Sequence, residues 1–451
     1  MDLDDNVPFN FPGPVHELGV DSIRMQVTSA QSIFEFNNQQ LKESKTMTKS
    51  NTPIAPAIDS PEAIRPFPQF HASQAELDDL KRRVLATRWP EKEPVNDQSQ
   101  GTPLATMKAL ADYWATKYDW RKVEAKLNAL PQFITEIDGL DIHFIHIKSK
   151  HKNALPIIVT HGWPGSIIEQ MKIIGPLTDP TAYGGKAEDA FDVVIPSIPG
   201  YGFSGKPSTT GWGPSKIAYA WVTLMKRLGY EKFLAQGGDW GGLITDVMAV
   251  QSPENVLGMA TNFPCTVPVE INNAAFSGLP APDGLSADEK QAYDQLSFAY
   301  KHVSYAFIMG SRPQTLLATA DSPVGLATMF LDHDQLSLAL ISRSFAGKSE
   351  GLTRDDVLDN ITLTWLTNTA VSGYRLYWEN KHAFVAPFGV TVPVVVSAFP
   401  DELYQAPESW AEKAYPNMIY YKKHSKGGHF AAWEQPELLV EDIREGFKSL
   451  R

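Results

Sequence analysis

A single cysteine, Cys265, stands among 451 residues. One thiol excludes an internal disulfide and fits a reducing cytosol, so a cytoplasmic location is expected. Long apolar runs are also missing: no stretch approaches the roughly 18 consecutive apolar residues of a membrane span. The acidic start, Met1 to Asn6, has no apolar core after it, which argues against a secretory signal. Basic clusters are absent too. Lys and Arg number 40 against 52 Asp and Glu, a net charge of −12, so little is offered to a nucleic-acid backbone. No internal repeat at solenoid or propeller periods is found. What remains, 43% apolar and 20% charged, suffices for a sizeable core in one large domain with insertions, or in two modest ones.

The first ~50 residues are polar and weakly patterned, and a second methionine, Met47, precedes a Ser/Thr/Pro/Ala-rich stretch. A flexible extension over 1–58 is the expectation, with a true start at Met47 as the alternative. Ser73 and Glu76 have capping-box spacing ahead of Leu77, Leu80 and Val84, which share one helical face, and Trp89-Pro90 should end that helix. A second helix is expected over Thr106 to Lys117. Asp138-Gly139 between Phe133–Ile137 and Leu140–Ile147 predicts a hairpin, since both turn positions want positive φ.

Short apolar runs then recur between helical segments: Pro156–Val159, Phe191–Ile195, Phe233–Ala235 and Val392–Val396. Strands apolar on both sides predict a mostly parallel sheet covered by helices on both faces. The residues 266–384 interrupt this alternation with a helical, aromatic-rich segment that reads as an inserted cap. The expected division is therefore an extension (1–58), an N-terminal module (59–150), a first core part (151–265), the cap (266–384) and a second core part (385–451).

Gly237-Gly238-Asp239-Trp240-Gly241-Gly242 follows one apolar run and precedes a helix, the layout of a nucleophile elbow. Small neighbours permit the sharp turn, but the centre is aspartate where a serine hydrolase has serine, so serine esterase chemistry is the weaker reading. A carboxylate there attacks an sp3 carbon and forms an ester that water later cleaves. The bland alternative is a glycine-rich turn with Asp239 as a helix cap. Thr160-His161-Gly162-Trp163-Pro164-Gly165-Ser166 follows an earlier run, and its backbone N–H groups suit a developing oxyanion; the expected donors are Trp163 and Trp240. Lys426-Gly427-Gly428-His429-Phe430 follows the strand-like Met418–Lys422 and supplies a base, His429, with a helix expected from Glu434. Its orienting acid should end an earlier strand, where Asp401 and Glu402 both stand. The residues alone leave these two open, and either also reads as a solvated loop charge.

Together these motifs resemble the microsomal-type epoxide hydrolases of the α/β-hydrolase fold, from about Ile64 onward. Further matches are Arg65-Pro66-Phe67, Arg88-Trp89-Pro90, Tyr118-Asp119-Trp120, Pro131-Gln132-Phe133, Asp321–Ala327 and Ser397-Ala398-Phe399-Pro400. The resemblance implies a reaction of epoxide with water to a diol, with Glu402 as the acid behind His429. It also implies two proton-donating tyrosines, which map onto Tyr305 and Tyr377, with Tyr300 and Tyr374 as rivals. A phenol suits that task because it stays protonated at neutral pH. Membrane-bound members carry an anchor helix; nothing before Ile64 here could span a bilayer, so the soluble members are the better match. No metal or organic cofactor is implied, and His143 and His146 point to opposite faces of their strand. A homodimer is a further implication. The rivals are a haloalkane dehalogenase, which needs N–H donors for halide, and a non-catalytic scaffold, which need not retain Asp239, Glu402 and His429 together.

Overall fold

The apolar runs read from the sequence are strands of one sheet in the computed structural model, which describes residues 60–451. The expected extension and Met47 lie outside the described residues. The strands are β1 (Arg65–Pro66), β2 (Gln132–Ile137), β3 (Leu140–Ile147), β4 (Leu155–Thr160), β5 (Phe191–Pro196), β6 (Phe233–Gly237), β7 (Val256–Thr261), β8 (Val394–Ala398) and β9 (Met418–Lys423). Their spatial order is β1-β2-β3-β5-β4-β6-β7-β8-β9. The first three strands join antiparallel, while β5, β4, β6, β7, β8 and β9 run parallel to one another. Every residue of β6 and β8 is buried, so both faces of the sheet are covered there.

Topology decides where a site can form. The chain leaves β4 toward β5 on one side, then crosses to β6 on the other. Loops leaving the ends of β4 and β6 therefore diverge, opening a crevice at the carboxyl edge of the sheet. Register brings those ends level: Thr160 pairs with Gly237, and Gly237 with Thr261. Both sequence motifs leave the sheet at this edge.

Between β7 and β8 lie seven α-helices, Val269–Phe276, Ala287–His302, Ser304–Ser311, Pro323–Leu331, Gln335–Phe345, Arg354–Thr367 and Ala370–Glu379. The N-terminal segment braces this insertion. Arg83 pairs with Asp321 at 2.7 Å, Tyr113 donates to Asp355 and Tyr118 to Asp359 at 2.8 Å, and the Trp114 indole donates to Thr362 at 3.1 Å. The helix that carries Arg83 begins with the expected box: the Glu76 N–H donates to the Ser73 hydroxyl, and the Glu76 carboxylate accepts from the Ser73 N–H. It ends at Leu85, earlier than Trp89-Pro90 required, because the Thr87 hydroxyl caps the Val84 carbonyl. The second helix runs Leu104–Thr116, and the third Trp120–Asn128.

The hairpin turn has φ of +50° at Asp138 and +77° at Gly139, as a two-residue turn of this type requires. A Cβ at Gly139 would meet nothing within 4 Å, whereas one at Gly241 would lie 2.0 Å from the Thr160 carbonyl oxygen. We expect Gly139→Ala to cost about 1 kcal/mol, the conformational penalty alone. Gly241→Ala should leave no soluble native protein, because backbone atoms cannot yield to it. Chemical denaturation of Gly139→Ala and the soluble yield of Gly241→Ala check this, and a soluble, cooperatively unfolding Gly241→Ala would contradict it.

Candidate active site

Asp239 sits between β6 and the helix Trp240–Gln251 with φ +50° and ψ −129°, a conformation that non-glycine residues rarely adopt. Strain of this sort costs on the order of 1–3 kcal/mol and persists only where the surroundings fix it. Here they do, since glycines on every side let backbone close in. A Cβ on Gly237 would overlap the Gly241 carbonyl at 2.2 Å, and one on Gly162 would lie 2.3 Å from Asp239 Oδ1. The turn aims the carboxylate at the loop after β4, where the Trp163 N–H donates to Asp239 Oδ1 at 2.7 Å. The Trp240 N–H opens the following helix, where no carbonyl four residues back is helical.

His429 follows β9 and lies on the other side of that carboxylate, its Nε2 3.6 Å from Asp239 Oδ2. Its Nδ1 is 2.5 Å from Glu402 Oε1, and both side chains are almost fully buried. Of the two carboxylates after β8, then, Glu402 reaches the imidazole, while Asp401 is exposed and meets Gly428 only through backbone. Asn262, after β7, donates weakly to the His429 carbonyl at 3.4 Å and accepts from Gln236. Burial alone would push the imidazole pKa down. The charge and hydrogen bond of Glu402, then the charges of Asp239 and Asp334, lift it instead to about 10.

The insertion supplies the opposite wall. The Trp163 ring lies 4.7 Å from Tyr305 and 5.9 Å from Tyr377, and Trp240 meets Tyr377 edge-on at 4.7 Å. Burial, together with neighbouring charge that includes Asp239, pushes both phenols well above their usual value, so both are protonated donors at neutral pH. Their rivals are engaged elsewhere: Tyr374 donates to Thr319, and Tyr300 to Asn272. The Trp240 indole N–H is buried without a partner among the described residues.

Sequence reasoning missed three groups here. His333 is buried, its ring 4.2 Å from that of His429 and its Nδ1 2.9 Å from Asp334 Oδ2. His333, Asp239 and His429 each place a donor atom within 4.8 Å of the others. The insertion folds back across residues far apart in the chain, and no spacing rule detects that. Glu169, three residues beyond Ser166, is pushed up to about 8 by burial, against the pull of His429. Glu434 is likewise raised, to about 7. Helix does resume near Glu434, as two pieces, Ala431–Glu434 and Pro436–Gly446. A G-x-S-x-G string also occurs, Gly347-Lys348-Ser349-Glu350-Gly351. It joins two helices on the exposed surface with no strand before it, so it is no elbow. A cavity of about 700 Å³ adjoins the site; its walls include Glu402 and His333 but not Asp239.

The strand order, the Asp-centred turn and the His–Glu pair define an α/β-hydrolase. Comparison with known proteins narrows this. The family described as alpha/beta hydrolase fold matches residues 156–335, and that described as Epoxide hydrolase N terminus matches 64–170. A putative epoxide hydrolase of Stigmatella aurantiaca is 48% identical over 86% of this chain and 86% of its own length. Epoxide hydrolase 1 of Sus scrofa is 36% identical over 86% of this chain and 90% of its own. Among solved structures, the juvenile hormone epoxide hydrolase of Bombyx mori superposes with a TM-score of 0.76 at 29% identity, covering 86% of this chain and 95% of that one. The Aspergillus niger epoxide hydrolase gives 0.72 at 27%, covering 86% and 97%. The chain belongs to the epoxide hydrolase family and is a hydrolase. No helix among the described residues is long and apolar enough to cross a membrane.

Because Asp239 is one of the charges that raise His429, Asp239→Asn should lower the histidine pKa from about 10. Titration of the His429 ring protons by NMR reads this directly; an unchanged value would remove Asp239 from the explanation.

Proposed function

We propose that Asp239 opens the epoxide as a nucleophile and that His429, held by Glu402, drives hydrolysis of the resulting ester. The observation that carries the reading is the placement of one carboxylate between a backbone N–H at 2.7 Å and an imidazole at 3.6 Å, facing two buried phenols. Asp239 Oδ2 attacks a ring carbon, the C–O bond breaks, and Tyr305 or Tyr377 protonates the leaving oxygen. Proton donation at that moment matters because the free alkoxide is far more basic than a phenolate.

Ester formation removes the Asp239 charge, and with it part of what holds the proton on His429. The imidazolium then gives that proton up to the tyrosinate, which becomes a phenol again. Neutral His429 deprotonates water, and hydroxide attacks the ester carbonyl carbon. The oxyanion accepts from the Trp163 and Trp240 N–H groups; collapse breaks the ester bond to the alkoxide, which takes the proton of the added hydroxyl, so the diol leaves and Asp239 returns as a carboxylate. The imidazolium restored in this step is the resting form. Atoms and protons balance with water as the sole co-substrate. The helical insertion acts in this scheme as the cap that holds the acid over the carboxylate.

Asp239→Asn, free of deamidated protein, should lose turnover by roughly 10⁴-fold or more while folding normally. His429→Gln should still open the ring and accumulate a covalent adduct of one substrate mass; an adduct-free spectrum under substrate would sink the two-step scheme. Replacing both Tyr305 and Tyr377 by Phe should cost about 10²–10⁴-fold. Since the unpaired Trp240 indole N–H suits a halide, 1-chloro- and 1-bromoalkanes belong in the same assay. Diol without halide supports the epoxide scheme, and halide without diol would replace it.

A further inference from the structure

The insertion brings to the carboxylate a second imidazole that the proposed chemistry does not use. His333 is 1% exposed, and its Nε2 is buried with no hydrogen-bond partner among the described residues. A buried polar atom left unpaired costs about 1–3 kcal/mol, so it requires an explanation. Its Nδ1 is occupied by Asp334, whose other oxygen accepts the Ser337 N–H at 2.7 Å and so fixes the pair at a helix start. His429 is arranged alike, with Nδ1 taken by Glu402. Each imidazole therefore presents only Nε2, and each is backed by a carboxylate. Asp239 Oδ2 completes the set, since Oδ1 already accepts from Trp163.

We propose that Asp239, His333 and His429 form a binding site for a divalent zinc-class ion, which closes the enzyme reversibly to its substrate. The donor set is the one such ions prefer, two imidazoles and a carboxylate with a fourth position left for water. Carboxylates on the far ring nitrogens orient metal-bound histidines and raise their basicity. Spacing agrees as well. Two ligands of a tetrahedral zinc, each about 2.0–2.1 Å from the metal, lie about 3.3 Å apart. Asp239 and His429 stand at 3.6 Å, and all three donors fall within 4.8 Å of one another.

Charge favours the ion too. The carboxylates of Asp239, Glu402 and Asp334 surround the two rings. A dication must displace the proton of His429, but it leaves the cluster less negative than one proton does. An ion held there ties up Asp239 Oδ2 and His429 Nε2 together. The inhibition rests on the proposed function; the binding does not.

Calorimetry of the full chain with zinc chloride, and visible absorption with cobalt(II), test the binding without any turnover. One equivalent should bind with a dissociation constant of about 10 µM or tighter, with the d–d bands of a tetrahedral cobalt site. His333→Gln should weaken binding by about 100-fold. Asp334→Asn, whose single oxygen can keep the Ser337 cap while its NH2 turns to His333 Nδ1, removes both the charge and the acceptor behind the ring; it should weaken binding about 10-fold and decides the matter if the first variant fails to fold. No binding up to millimolar zinc, or both variants within threefold of the wild type, overturns the site. In epoxide turnover, zinc should inhibit and a chelator should restore the rate. Zinc bound with the rate unchanged would overturn the inhibition alone. Zinc bound by a protein that turns over no epoxide would sink the proposed function and leave the site.

Discussion

Everything at the carboxyl edge of the sheet depends on two backbones being allowed to touch. The turn after β6 and the loop after β4 approach so closely that a methyl group on Gly241 would press into the Thr160 carbonyl and one on Gly162 into Asp239 itself. Only that approach lets the Trp163 N–H reach the Asp239 carboxylate. The parallel register of β4, β6 and β7 holds the edge in place, and the left-handed backbone at Asp239 is stabilised by what surrounds it. The geometry is local, but its cause lies in the sheet order, which makes adjacent loops part at this point and no other.

Charge is then arranged around that contact by burial. His429 lies among Glu402, Asp239 and Asp334 and retains its proton to about 10, while Glu169 is pushed up to about 8 and stays neutral at pH 7. The same low-polarity surroundings thus hold one group charged and another uncharged, because opposite charges outweigh burial at His429, whereas the pull of His429 on Glu169 does not. For the His429 pair the sign of the linkage is definite. Its folded pKa lies above its unfolded one, so its contribution to stability is complete below about 6.5 and is lost as pH rises through about 10. Glu169 also has a raised pKa; its favourable contribution is present below about 4.5 and disappears as pH climbs toward 8.

What could be read in advance was whatever the chain writes locally. The Asp138-Gly139 turn, the Ser73/Glu76 cap and the doubly apolar strands all have causes within a few residues, and each takes the expected form. The glycines that flank Asp239, and the one before Trp163, also declare themselves in sequence, because only a close approach calls for them. The choice between Asp401 and Glu402 was not legible from spacing; it depends on which of two adjacent side chains points inward after β8. His333 was less legible still. Its place beside His429 follows from how the insertion folds back over the sheet; it lies in the turn between the helices Pro323–Leu331 and Gln335–Phe345, and neither their periodicity nor its neighbours carry that information.

The bracing of the insertion by the N-terminal segment bears on how molecules come and go. Arg83, Tyr113, Trp114 and Tyr118 fasten it at Asp321, Asp355, Thr362 and Asp359, so the roof is tied at several points rather than hung on a hinge. A rigid swing would have to break all four ties at once. Admission through such a roof depends on side-chain rearrangement in its walls, a smaller motion than a swing of the whole insertion. A roof of that kind sorts visitors by girth and stiffness before any chemistry begins, and its discrimination is set in the architecture rather than in the reacting atoms.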